Sequence, residues 1–317
     1  MRPIFSILLQ ILLSNSLNAV LISGTYEASA NLARQYPAVG SLKSDLGGGT
    51  ASLVKHKNNL FLLTAAHCLV DEGASLKLIS ADDPRKEPET IFAKMGTHSF
   101  LDLGDEHQTK NSLCMFEGPA SLTLPNARNI TITANKWLIS PHEDVAIADL
   151  FGLIDPEALG VDIHPSNEGS PESNPEKIFV GASKNCGSMG TSTLYDANGH
   201  YKEQGMIPAD GPLAGKMSLE ELNGKLATTE YTETLTNEGD SGGALVCSNK
   251  VLGILSETGG QQVIYERAGR IIKTETKPRS HFSKIEDALP LFEYALQARG
   301  TSHSGPSTGA PLIESKL

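Results

Sequence analysis

Three short segments of the sequence carry side chains that together could perform acid–base and nucleophilic chemistry. In the first, residues 62–68, an apolar run and two alanines lead into His67. Small residues before an imidazole let another segment pack close to it, and a general base works only within hydrogen-bond distance of the proton that it takes. His67 is therefore a candidate general base, although a single histidine after an apolar strand is more often an ordinary core residue.

The second segment begins with an acid, Asp144, and continues as the apolar run 145–148. A carboxylate at the rim of a core lies in a low dielectric, where it can accept a hydrogen bond from an imidazole and stabilise the imidazolium that forms. Asp144 is thus a candidate partner for His67. Considered alone, an acid at the start of a strand is usually a turn residue.

The third segment, residues 237–245, surrounds one serine with glycines. Glycines permit backbone conformations closed to other residues and leave space for a substrate beside the Ser241 hydroxyl. Consecutive N–H groups in such a turn can donate to one oxyanion. The order His, Asp, Ser, with gaps of 77 and 97 residues, makes the three segments together far more specific than any one of them.

The same segments resemble the signature regions of the chymotrypsin/trypsin-like serine peptidase family. The matching strings are TAAHC at 64–68, DVAIADL at 144–150 and GDSGGAL at 239–245. The resemblance covers roughly residues 21–275 and implies an all-β fold of two antiparallel six-stranded β-barrels, with the active site in the cleft between them. It also implies specific roles, namely Ser241 as nucleophile, His67 as general acid/base and Asp144 as orienting carboxylate.

The resemblance assigns supporting roles to four further residues. The backbone N–H groups of Gly239 and Ser241 would form the oxyanion hole, and Ser256 would support the aspartate. A new N-terminus at Leu21 would pair its ammonium with the carboxylate of Asp240. Because no Lys or Arg precedes this position, we expect cleavage on export, or trimming of one further residue, to produce the terminus.

The specificity pocket departs from that of trypsin-like relatives. Leu235 stands six residues before Ser241, where those relatives carry Asp. Glu257 and Thr258 would form one wall of the pocket and Val263 its back. Without a buried carboxylate at the base of the pocket, we expect a small or aliphatic P1 residue rather than Lys or Arg.

The chain has four cysteines, Cys68, Cys114, Cys186 and Cys247, and four cysteines allow three disulfide connectivities. Two disulfides or four buried free thiols are both compatible with the sequence. The resemblance pairs Cys186 with Cys247 and leaves Cys68 with Cys114.

Short β-branched or leucine-rich segments bounded by turn formers predict many strands. They are residues 50–54, 60–63, 76–79, 130–133, 145–148, 178–180, 244–246 and 251–255. The gap after His67 is longer than usual for the family and predicts an added hairpin or loop. Near the end of the chain, apolar residues on one face predict a helix at about 283–299, firmer after Pro290, with Ser283 and Glu286 as a capping box.

The composition of both ends of the chain predicts segments that lie outside the folded domain. Residues 1–19 have the charged start, apolar run and small-residue end of a secretory signal peptide. The apolar run is well short of the ~20 residues that span a bilayer, so we expect secretion without stable membrane insertion. The peptidase domain would occupy residues 20–300, with barrel one at about 21–150 and barrel two at about 151–275. Residues 301–317 predict a disordered tail.

Composition excludes other classes of function. A formal charge of −11, from 26 basic and 37 acidic residues, argues against binding to nucleic acid, which needs a basic face. The nine histidines are scattered without an H-E-x-x-H motif, so we expect no metal and no other cofactor. The expected partners are peptide or protein substrates, bound by a monomer.

The sequence thus favours a secreted serine endopeptidase, with two alternatives on the same fold. A catalytically silent binding protein usually loses a triad residue or a glycine, and none is lost here. A serine esterase would use the same three side chains. A fluorophosphonate probe separates the first alternative from an enzyme, and peptide against ester substrates separate the second.

Overall fold

The protein is described by a computed structural model, which is built mainly from β-strands. It describes residues 21–22, 26–80, 86–96, 100–103, 112–125, 130–159, 161–165, 176–182, 189–190, 207–208, 212–222, 224–229, 234–236, 239–267 and 270–301. The predicted signal peptide, nearly all of the predicted tail and Cys186 lie outside these residues. Within them, no helix has the length and apolar character needed to cross a bilayer.

Most strands belong to one of two antiparallel sheets. The first half of the chain contributes β1 (Leu21–Ile22), β2 (Val39–Ser44), β3 (Gly47–His56), β4 (Asn59–Thr64), β5 (Ser75–Ser80), β6 (Glu89–Phe92), β7 (Ser112–Thr123), β8 (Thr131–Ile139) and β9 (Ala146–Asp149). The second half contributes β10 (His164–Pro165), β11 (Lys177–Gly181), β12 (Met189–Gly190), β13 (Ile207–Pro208), β14 (Leu213–Met217), β15 (Leu219–Leu222), β16 (Lys225–Thr228), β17 (Thr234–Leu235), β18 (Ala244–Cys247), β19 (Lys250–Arg267) and β20 (Arg270–Lys284).

Six strands of the first half close into a barrel. The hydrogen-bonded order is β2, β3, β4, β9, β8 and β7, and β7 pairs back onto β2. The apolar strand β4 is buried on both faces: Leu60 and Leu62 pack inside the barrel, whereas Phe61 and Leu63 pack against the second half. This double burial explains why β4 reads as a continuous apolar run rather than an alternating one.

The long gap after His67 is occupied in part by an added hairpin. Strands β5 and β6 pair with each other, and β5 pairs with β7 on the outside of the six-stranded ring. The predicted extra hairpin is therefore present, attached to a barrel strand.

The second half forms a curled sheet that stays open. Its order is β14, β11, β18, β19, β20, β16 and β15, and within the described residues the two edge strands are not paired with each other. Strands β19 and β20 pair along nearly their whole length, from Gly253 opposite Lys284 to Arg267 opposite Arg270. The predicted fold class, mostly β with a C-terminal helix, is confirmed. The described residues give this second unit as a curled half-barrel sheet beside the closed six-stranded barrel of the first half.

The C-terminal helix is present and supports the first barrel. A 3₁₀ turn (Ile285–Ala288) leads into a helix at Leu289–Thr301, so Pro290 falls in the first helical turn, where its missing N–H costs nothing. The capping contact is shifted by one residue from the predicted pair, since the Lys284 N–H donates to Asp287 at 3.1 Å.

Two contacts attach this helix to the barrel. Phe292 is fully buried with its ring centroid 4.9 Å from that of Phe61, a burial that stabilises the fold by roughly 1.5–3 kcal/mol. Arg299 donates to Asp149 on β9 and covers the Phe151 ring at 4.3 Å. The helix thereby supports the strand that follows Asp144.

Two further helices were not predicted, α1 (Tyr26–Ala33) and α2 (Pro156–Leu159); the C-terminal helix is α3. Helix α1 packs on the second sheet, where the Ser29 hydroxyl donates to the Ala214 carbonyl at 2.7 Å and accepts the Ala214 N–H at 3.1 Å.

Candidate active site

The pairing of β4 with β9 brings His67 and Asp144 together across 77 residues of sequence. The two strands are antiparallel, with Thr64 opposite Ala146. His67 follows the end of β4 on a 3₁₀ turn, and Asp144 precedes the start of β9, so both lie at the same end of the strand pair. Ala65, between Thr64 and the turn, is fully buried, which agrees with the need for small residues beside the imidazole.

The carboxylate of Asp144 accepts three hydrogen bonds. Oδ1 accepts the backbone N–H of His67 at 2.9 Å, and Oδ2 accepts from Nδ1 of the same residue at 2.6 Å. The hydroxyl of Ser256 also donates to Oδ2, at 2.9 Å. Since an ionised carboxylate only accepts, Nδ1 carries a proton, and Nε2 is the acceptor whenever the imidazole is neutral. Asp144 is buried, so these contacts hold the imidazole in one orientation and one tautomer.

Asp144 also controls the proton affinity of the imidazole. Burial alone lowers the pKa of His67, but the hydrogen bond to Asp144 and its negative charge outweigh burial and raise the pKa above its ordinary value. The neighbouring Cys68 acts in the same direction. The arrangement therefore favours an imidazolium, the form that a general base reaches when it takes a proton.

The turn that carries Ser241 is held against both halves of the molecule. The Gly242 N–H donates to the carbonyl of Leu255 at 2.8 Å, and the Leu255 N–H donates back to Gly243 at 2.9 Å. These bonds place Ser241 beside Leu255, the residue of β19 that directly precedes Ser256. On the other side, the carbonyl of Ser241 accepts the N–H of Thr50, on β3, at 2.8 Å.

Glycine is required at position 242. The residue has φ +82, and a Cβ built there would lie 2.2 Å from the carbonyl oxygen of Thr50. No side chain fits at such a distance, because the atom that it would meet belongs to the backbone. The close approach of the serine turn to barrel one therefore depends on the absence of a side chain.

His67 and Ser241 line one open cavity of about 250 Å³. Cys68 and Gly239 complete its inner part, and residues 46–48 form its outer edge. The ring of His67 is part-exposed, with 38% of its side chain accessible. A hydroxyl, an imidazole and the backbone of a glycine-rich turn therefore face a common open space.

The expected disulfides are absent from this region. Cys68, Cys114 and Cys247 are free and buried, so the pairing of Cys68 with Cys114 is corrected, whereas Cys186, the expected partner of Cys247, lies outside the described residues. The Cys68 sulfur lies 3.9 Å from His67 Nε2 and 3.6 Å from the Ser241 carbonyl oxygen. Cys114 lies instead on β7, within the core of the barrel.

Asp240 is buried against the second sheet. A Cβ built at Gly181 would lie 2.5 Å from its Oδ1, so the carboxylate packs directly on the β11 backbone. Leu21 lies in the two-residue strand β1, where it pairs with Leu235 of β17. The segment assigned to activation therefore lies beside the segment that leads to the serine turn.

The residues assigned to the specificity pocket are spread along β19. Glu257 and Thr258 are exposed and directly follow Ser256, and the Thr258 hydroxyl is 3.0 Å from that of Thr236. Val263 lies opposite Glu275 in the outer arm of β19, seven residues beyond Ser256. Seven residues of extended strand span about 23 Å, so the structure does not bring Val263 to the cavity that His67 and Ser241 line.

Comparisons with known proteins show a partial similarity. Residues 139–273, less than half of the chain, match the family model described as trypsin. Among solved structures, the chain is similar to mouse neuropsin, a serine protease expressed in the limbic system of the brain. That similarity has 15% identity and a TM-score of 0.40, and covers 82% of this chain and 95% of that one. No curated protein matches the chain.

Proposed function

We propose that the protein is a secreted serine endopeptidase that works through Ser241, His67 and Asp144. The observation that carries the proposal is the Asp144 carboxylate, which binds both the backbone N–H and Nδ1 of His67 while His67 and Ser241 line one cavity. The match of residues 139–273 to the trypsin family model supports hydrolysis of peptide bonds as the reaction.

The proposed reaction has two halves. The oxygen of Ser241 attacks the scissile carbonyl as Nε2 of His67 takes the hydroxyl proton, and Asp144 stabilises the imidazolium. The N–H groups of Gly239 and Ser241 donate to the oxyanion that develops on the carbonyl oxygen. His67 then protonates the leaving amine, and water releases the acyl group by the same route in reverse.

The proposed substrates are peptides with a small or aliphatic P1 residue. Leu235, at the position that sets basic specificity in trypsin-like relatives, has no charge to pair with Lys or Arg. The exposed Glu257, directly after Ser256 on β19, would disfavour acidic substrates near the mouth of the pocket. A P1 library of otherwise identical peptides tests this preference, and fastest cleavage after Lys or Arg would contradict it.

We also propose that a new N-terminus at Leu21 activates the enzyme by pairing with Asp240. The ladder between Leu21 and Leu235, five residues before Asp240, and the burial of that carboxylate support this step. A buried ion pair is favourable only when both charges are in place, so the new ammonium would order the serine turn by pairing with the carboxylate. N-terminal sequencing of active protein is the test, and full activity of a chain that begins well before residue 20 would exclude it.

The central test is labelling with a fluorophosphonate, which reacts only with an activated serine. Wild type is expected to label, and Ser241→Ala is expected to lose both labelling and turnover while remaining folded. Ser248→Ala, at an exposed turn, is the matched control that should label normally. No labelling after confirmed maturation would favour a binding protein, and labelling with turnover of esters but not peptides would favour an esterase.

A further inference from the structure

Thr50 binds both ends of the segment that carries the serine. It lies on β3 in the first barrel and is fully buried. Its backbone N–H donates to the carbonyl of Ser241 at 2.8 Å, and its hydroxyl donates to the carbonyl of Gly239 at 3.3 Å. One residue of the first barrel therefore binds the two ends of the tripeptide 239–241.

The other groups of Thr50 are bound as well. Its hydroxyl accepts the N–H of Ala182, directly after β11, at 2.9 Å. Its carbonyl accepts the hydroxyl of Thr64 at 2.8 Å, and Thr64 ends β4, three residues before His67. Thr50 thus connects the strand that leads to the base, the second sheet and the serine turn.

We propose that Thr50 is a positioning residue whose hydroxyl sets the direction of the two oxyanion donors, the N–H groups of Gly239 and Ser241. The proposal rests on the proposed function, which gives those N–H groups their role. Oxyanion donors are effective because they point at the developing charge before the reaction starts. Gly239, with φ +87 and no side chain, has little of its own to hold that direction.

The hydrogen bond to the Gly239 carbonyl supplies the missing restraint. A bound carbonyl fixes the plane of the peptide group between Gly239 and Asp240, and the bond from the Thr50 N–H fixes the plane after Ser241. The peptide that carries the Ser241 N–H lies between these two fixed planes, and the peptide that carries the Gly239 N–H adjoins the first of them, so both donors are restrained through their neighbours. Removing the hydroxyl alone would free one end and leave the other bound.

The test compares Thr50→Val, which keeps the shape but removes the hydroxyl, with Thr50→Ser, which keeps the hydroxyl. The matched control is Thr228→Val, because Thr228 is equally buried and its hydroxyl accepts the N–H of Ser280 on β20 at 3.0 Å rather than bonding to residues 239–241. The measurements are kcat and KM for a peptide substrate, and hydrogen exchange of the amides in residues 239–243.

Thr50→Val is expected to lower kcat about tenfold, the size of one ordinary hydrogen bond, with KM within about twofold. Exchange in residues 239–243 should rise, Thr50→Ser should restore both quantities, and Thr228→Val should change neither. Unchanged kcat and exchange in Thr50→Val would overturn the proposal, as would an equal loss of kcat in Thr228→Val. If wild type has no turnover, the proposed function fails, and the exchange measurement alone still decides whether Thr50 holds the segment.

Discussion

Replacing Gly49 by cysteine should create a disulfide with Cys68 that the natural sequence lacks. A Cβ built at Gly49 lies 3.6 Å from the Cβ of Cys68, inside the 3.5–4.5 Å range of disulfides. Gly49 has no positive φ, so its backbone accepts a side chain without the strain of a left-handed conformation. The nearest backbone atom is the Ser241 carbonyl oxygen at 3.1 Å, a tight contact that a small shift relieves.

The size of the effect follows from the loop that the bond would close. Residues 49 and 68 enclose roughly 20 residues, for which the chain-entropy estimate is about 3 kcal/mol of stabilisation. At about 2 °C per kcal/mol for a large domain, Tm should rise by about 6 °C. The bond would also remove the Cys68 thiol from His67 Nε2, which contributes to the raised pKa of the imidazole. The pH midpoint of kcat/KM should therefore move down.

The assay is thermal unfolding of Gly49→Cys with and without reductant, with peptide mapping to identify the bond. Gly49→Cys in a Cys68→Ser background is the matched control, because it carries the same new side chain but cannot form the bridge. A reductant-sensitive rise in Tm is expected only in the first variant. Folded Gly49→Cys that stays unbridged under oxidising conditions would show that the two positions are not adjacent as described.

Three further predictions concern the carboxylate, the glycine turn and pH. Asp144→Asn should lower kcat by about 10⁴, because an amide cannot accept from Nδ1 of His67 and from its backbone N–H at once; a loss below tenfold would contradict the assigned role. Gly242→Ala should abolish fluorophosphonate labelling because its Cβ would meet the Thr50 carbonyl. Gly73→Ala, with a similar positive φ and open space around it, should label normally. Equal labelling of the two variants would refute the packing argument. Folding raises the pKa of His67, so the stabilisation from its contact with Asp144 is present in full below about pH 6.5 and is lost as pH rises through the folded pKa. Urea titrations of wild type should show this loss as a fall in the free energy of unfolding. A fall of the same size in Asp144→Asn would refute the prediction.

Local pattern was sufficient to predict most strands of this protein but not how they pair. Strand β4 and residues 251–255 are apolar and bounded by turn formers, and both are strands in the structure. The strand order of the second sheet could not be foreseen, because pairing depends on which backbone groups meet across many residues of sequence. Helix α1 was also missed, since its alternation of small and polar residues has no strong helical period.

The cysteines illustrate the same limit at the level of single residues. Counting them leaves several connectivities and the possibility of free thiols. In the structure Cys68, Cys114 and Cys247 are free thiols, and Cys68 faces Gly49, which has no side chain to bridge to. That neighbour cannot be identified from spacing along the chain.

By itself, the sequence determined which side chains are available for chemistry and in what order they occur. His67, Asp144 and Ser241 stand out because catalysis demands unusual residue types in unusual local contexts, and such contexts are visible in a few consecutive letters. Only the tertiary structure revealed that Thr50 binds the two ends of the serine segment, about 190 residues away. A threonine in a strand carries no local mark of that role, because its hydrogen bonds depend on how two sheets pack rather than on its neighbours in sequence.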